Sequence, residues 1–173
     1  MYGLLLIMLQ LHKYYSTQLI KIKNINDIDR FPYIKSSPFI IDYINTLLNN
    51  NDRVLDVGSG LGEFMLLLKI IMYDKYKKTI DVYGIEIDNQ IENYIKIPTI
   101  FIDAFDYNEY DKFDVVYIYQ PYKNIEKMIL LIKHIQNSNC KIIYNNDSIE
   151  SHTLFELNFV HIQNNIWYFC KNK

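Results

Sequence analysis

The chain moves back and forth between two hydrophobic periods, and that alternation is its first structural signal. Short unbroken apolar runs bounded by Asn, Asp and Gly read as buried strands: "RVLDVG", "TIDVYGIEID", "TIFID", "FDVVYIY" and "CKIIYNN". Between them lie stretches whose apolar residues recur every three to four positions, the period of one helical face. "GEFMLLLKIIMYDKYKK" turns Phe64, Met65, Leu68 and Ile71 inward and gathers lysines at its C-terminal end, where the helix dipole favours cations. "NIEKMILLIKHIQ" predicts a helix that buries Ile125, Met128, Ile129, Ile132 and Ile135. "NQIENYIK" predicts a short helix, and "SIESHTLFEL" a short helix or loop. Upstream, "FPYIKSSPFIIDYINTLL" predicts a helix capped by Ser36 and Ser37, with Pro38 in its first turn. Its stripe is Phe39, Ile40, Tyr43, Ile44, Leu47 and Leu48, and "NNND" ends it. At the far end, "FVHIQNNIWYFCK" reads as two strands around an Asn-Asn turn.

Strands alternating with helices predict a mostly parallel sheet covered on both faces, and the terminal hairpin adds an antiparallel strand. The expected fold is therefore a doubly wound α/β domain with seven strands, spanning residues 1–173 as one unit. Residues 1–31 are expected to form an N-terminal helix and an irregular segment, and residues 32–173 the core. In such folds ligands bind beyond the carboxyl ends of the strands, so the residues after each strand carry the functional reading.

Composition narrows the picture. A chain of 173 residues, half of them hydrophobic, suits one core and not two. Its 18 basic and 20 acidic residues leave a net charge of −2, so nothing overall is tuned to a phosphate backbone. Cys140 and Cys170 sit in apolar strand-like runs without metal-ligand spacing, which predicts small buried hydrophobes. The four histidines are scattered, and no metal site is expected. The opening run "MYGLLLIMLQLHKYY" stops being apolar at Leu11, short of the ~20 residues a membrane span needs. It also lacks a basic leader and a cleavage site, so a packing helix in a cytoplasmic protein is expected. Contact with a membrane surface is the lesser alternative.

The chemistry is concentrated after the first strand. "LDVGSGLGEF" holds three of the chain's five glycines, at Gly58, Gly60 and Gly62. Such spacing lets the backbone turn tightly and approach a ligand, with a helix N-terminus aimed at it. A triphosphate loop would need Gly-Lys-Ser/Thr where Gly62-Glu63-Phe64 stands. A nicotinamide fingerprint would space its glycines as GxGxxG, and Asp56 would oppose a pyrophosphate. An acid at that position suits a ligand carrying positive charge.

On these residues the chain resembles the class I S-adenosylmethionine-dependent methyltransferases, whose first motif reads hydrophobic-Asp/Glu-x-Gly-x-Gly-x-Gly. The resemblance runs from about Pro32 to Lys171 and implies a Rossmann-like methyltransferase fold with S-adenosyl-L-methionine as cofactor. Asp56, Gly58, Ser59, Gly60 and Gly62 would form its loop. "VYGIEID" resembles the strand whose terminal acid takes both ribose hydroxyls: Glu86 fits best, with Ile87 beside it and Asp88 as the fallback. "FIDAFDY" resembles the third motif, where Asp103 would accept the adenine amino group and Ala104 would line the ring.

After the fourth strand, amine-directed members carry Asp/Asn-Pro-Pro-Tyr/Phe, which falls here on Tyr119-Gln120-Pro121-Tyr122. The second proline and the aromatic match; the leading Asp/Asn and the first proline do not. Tyr119, Gln120 and Tyr122 are the residues expected to face the methyl acceptor, with Tyr119 also touching cofactor. "PYIKSSPFIIDYI" adds a partial resemblance to small protein-lysine methyltransferases of the ATP-synthase c-subunit type. In that reading Tyr33, Ser36 and Ser37 would close over the cofactor's methionine end. The implied reaction is methyl transfer to an amine, a protein side chain being favoured over nucleic acid or a small metabolite. A non-catalytic cofactor-binding or scaffold subunit is the alternative.

Overall fold

The structure is a computed structural model that describes residues 40–119, 121–146 and 148–171. In chain order its elements are α1 (Ile41–Leu47), β1 (Arg53–Val57), α2 (Glu63–Tyr76), β2 (Asp81–Glu86), β3 (Thr99–Phe101) and β4 (Val115–Ile118). They continue with α3 (Ile125–Gln136), β5 (Lys141–Asn145), α4 (Ser151–Glu156), β6 (Val160–Gln163) and β7 (Ile166–Phe169). The seven strands form one sheet in the order β3-β2-β1-β4-β5-β7-β6. The first five run parallel, and β7 lies antiparallel to both β5 and β6.

Successive strand residues point to opposite faces, so a strand buried on both sides must be apolar throughout. Leu55, Val57, Ile85, Val116, Ile118 and Ile142 meet α3 on one face. Val54, Val82, Val115, Tyr117 and Ile143 meet α1 and α2 on the other. All four residues expected inside α2 are buried, together with Leu67 and Met72.

Several expectations need correcting. Ile125 of α3 is 46% exposed, and the buried stripe is Met128, Leu131, Ile132 and Ile135. Seven of the helix's twelve positions are apolar (125, 128 to 132 and 135), so its period leaves the phase open and the sheet selects it. In α1, Ile41 is fully buried although it stood outside the predicted stripe. The predicted Ser36/Ser37 cap, Pro38 and Phe39 lie outside the described residues, as does the N-terminal apolar run. "NQIENYIK" forms a 3-10 turn over Asn89–Tyr94, with Asp88 capping it by accepting from the Gln90 N–H at 3.0 Å. Cys140 is buried as expected, whereas Cys170 falls just past the end of β7 and is exposed. Among the described residues no helix is long and apolar enough to cross a membrane.

Candidate functional site

Strand order reverses between β1 and β4, because the chain fills one side of the sheet with β2 and β3 before crossing back. A doubly wound sheet opens a crevice at that switch point, beyond the strands' carboxyl ends. The loop leaving β1 enters it. Gly58, Gly60 and Gly62 have φ of +76°, +53° and +73°, left-handed values that residues with a Cβ rarely adopt. Close approach also excludes a side chain at two of them. A Cβ on Gly58 would stand 2.7 Å from Pro121 Cβ, and one on Gly62 would stand 2.6 Å from Ile97 Cγ1. The N–H groups of Gly58 and Ser59 both donate to the Ile85 carbonyl at 2.9 Å, which ties the loop to β2. Ser59 Oγ is buried and has no hydrogen-bond partner among the described residues.

Two carboxylates back this loop. Glu86, at the end of β2, accepts from the N–H of Gly60 at 2.8 Å, of Ile87 at 2.9 Å and of Asp88 at 3.1 Å. Burial raises its pKa while those three donors pull it down. Asp56 lies in β1 between Gly84 of β2 and Tyr117 of β4. Burial first, and then the charge of Glu86, push it up to about 8. Among the described residues no ion pair meets these two buried acids, and a cationic ligand would supply a counter-charge.

A second group forms beyond β3. Asp103 Oδ1 accepts from the Phe105 N–H at 3.0 Å and from the Tyr122 hydroxyl at 2.7 Å. Ala104 is buried, and its carbonyl accepts from the Tyr110 hydroxyl at 2.7 Å. Tyr122 itself is 5% exposed, with Lys127 Nζ 3.9 Å from its ring centre. Tyr119 is half-buried and packs on the α2 side of the sheet. Gln120 lies outside the described residues, as do Tyr33, Ser36 and Ser37. Hydrogen bonds thus join Gly58, Ser59, Gly60, Gly62, Glu86 and Ile87 into one cluster beside Asp56. Asp103 and Tyr122 form the other, and Pro121 bridges them by packing on Gly58.

Known proteins share this fold. No family model matches the chain. A curated relative from Thermoplasma volcanium, a probable cobalt-precorrin-6B C(15)-methyltransferase (decarboxylating), is 25% identical over 139 residues, covering 72% of this chain and 69% of that one. Among solved structures, a putative RNA methyltransferase from Pyrococcus horikoshii matches with a TM-score of 0.53 at 15% identity, over 77% of this chain and 80% of the other. Magnesium protoporphyrin IX methyltransferase from Synechocystis PCC 6803, solved with bound S-adenosylmethionine, matches at 0.51 and 16%, over 76% and 77%. This is the class I S-adenosylmethionine-dependent methyltransferase fold.

Within this methyltransferase fold one polar residue escaped the sequence reading. Asn145 ends β5 one step beyond the Ile118–Tyr144 pair, at the level of Tyr119. It is buried, and its Nδ2 donates to the Tyr117 hydroxyl at 2.8 Å. The available signal was an amide closing an otherwise apolar strand, "KIIYN", at the end where a methyltransferase sheet opens its crevice.

Proposed function

We propose that the chain is an S-adenosylmethionine-dependent methyltransferase that uses an amine as acceptor. One observation carries the first half: three left-handed glycines close against two buried acids at the switch point. The cofactor's ammonium and sulfonium would answer the charge on Asp56, and the open backbone at Gly58 and Gly60 would admit its methionine portion. Ser59 Oγ, buried and unpaired among the described residues, would find a partner there. Glu86 would take the ribose hydroxyls and Asp103 the adenine amino group, with Ile87 and Ala104 against the base.

Methyl transfer is an in-line displacement that depends on orientation and a dry site more than on a strong base. Tyr119 and Gln120 follow β4 and would present the acceptor, for which a protein side-chain amine is the first reading. A small-molecule acceptor is the second, favoured by the Thermoplasma relative, whose name describes methylation of a cobalt-precorrin.

Titration calorimetry with S-adenosylmethionine and S-adenosylhomocysteine tests the cofactor. Saturable micromolar binding that weakens at least tenfold in Glu86→Ala is the expected result, and no binding of either ligand would overturn the proposal. A labelled methyl donor, offered separately to protein and to small-molecule fractions of a cell extract, then tells the two acceptor readings apart.

A further inference from the structure

On the reading that Asp103 takes the adenine amino group, we propose that Tyr122 is the positioning residue that makes the cofactor site select a 6-aminopurine over a 6-oxopurine. A carboxylate only accepts hydrogen bonds. It therefore favours the N–H of an adenine amino group and opposes the carbonyl of hypoxanthine. That discrimination survives only if the carboxylate cannot turn away.

Asp103 stands on a loop two residues past a strand of three, which by itself restrains its side chain little. Its Oδ1 is fixed from two directions, by the Phe105 N–H at 3.0 Å and by the Tyr122 hydroxyl at 2.7 Å. The first bond is local, while the second comes from 19 residues away and anchors the carboxylate to the segment between β4 and α3. Tyr122 can act as such an anchor because it is itself held. It is buried, its ring centre lies 5.8 Å from that of Phe105, and the preceding Pro121 is wedged on Gly58. The Lys127 ammonium, 3.9 Å from the ring centre, draws electron density from the phenol and strengthens its donation. The second half of "YQPY" thereby serves the methyl donor, and the first half is left to address the acceptor.

The test is titration of the full chain with S-adenosylhomocysteine and S-inosylhomocysteine, which differ only at the purine 6-position. The wild type is expected to prefer the adenine ligand at least tenfold. Tyr122→Phe, which removes one oxygen, is expected to cut that preference about three- to tenfold by weakening the adenine ligand alone. Lys127→Met leaves the hydroxyl and the core in place, and is expected to reduce the preference about twofold. General loosening would weaken both ligands equally, so an unchanged ratio in both variants overturns the role of Tyr122. A wild type without preference, or one whose preference survives Asp103→Asn, overturns the reading of Asp103 and this inference with it. A wild type that binds neither ligand removes the cofactor site altogether.

Discussion

Asp56 is the residue at which the fold works against itself. An aspartate in an unfolded chain titrates near 3.9, whereas burial and the neighbouring Glu86 push Asp56 up to about 8. Between those values the folded protein holds a proton that the unfolded chain has released. Its contribution to stability therefore falls as pH rises from about 4 to about 8, and is level outside that window. Melting midpoints measured from pH 4 to 9 should decline less steeply for Asp56→Asn than for the wild type, and parallel curves would refute the assignment. The same substitution removes the charge expected to meet the cofactor, so Asp56→Asn should also bind S-adenosylmethionine worse. Asp56, Glu86 and the three glycines stood out in the sequence because each answers a local demand: a φ that needs glycine, or an acid at or next to the end of an apolar strand. The Tyr122–Asp103 bond and the Asn145–Tyr117 bond were not, since each joins residues on different elements, 19 and 28 positions apart.

At the scale of elements, sequence patterning located every strand from Arg53 onward and the reversed one among them, because apolar runs and turn residues are local signals. It failed where apolar residues were too plentiful to choose among. In α3 the sheet, not the helical period, decides that Leu131 is buried and Ile125 is half out. Leu131→Ala should cost about 2–5 kcal/mol of unfolding free energy, and Ile125→Ala under about 1 kcal/mol. Urea denaturation of both variants checks this, and equal costs would return the stripe to the phase read from sequence. The short segment after β2 failed differently. Asn89–Tyr94 winds as a tighter 3-10 turn around buried Ile91, a distinction that the apolar period does not carry, since the six-residue α4 is α-helical around a single buried residue, Leu154.

At the scale of the whole molecule, the sheet has two unlike ends. The strands' carboxyl ends gather the glycine loop, Glu86, Tyr119 and Asn145. At the opposite end, the Arg53 guanidinium lies against the rings of Tyr83 and Phe113, which meet edge to face, and donates to the Lys112 carbonyl at 2.6 Å. Because β7 runs backwards, the residue following it emerges at this second end, level with the start of β5. That residue is Cys170. It is exposed, while Cys140 is buried and its thiol is pushed up to about 11 by that burial. The chain has no other cysteine. The folded protein thus offers one thiol to solvent and hides the other. A maleimide dye should couple once under native conditions and twice in denaturant; two fast couplings in the native state would contradict the burial of Cys140. A dye on Cys170 can fasten the protein to a surface or a spectrometer's reference frame with the crevice at the strands' carboxyl ends facing away, and the second thiol counts how often the molecule opens.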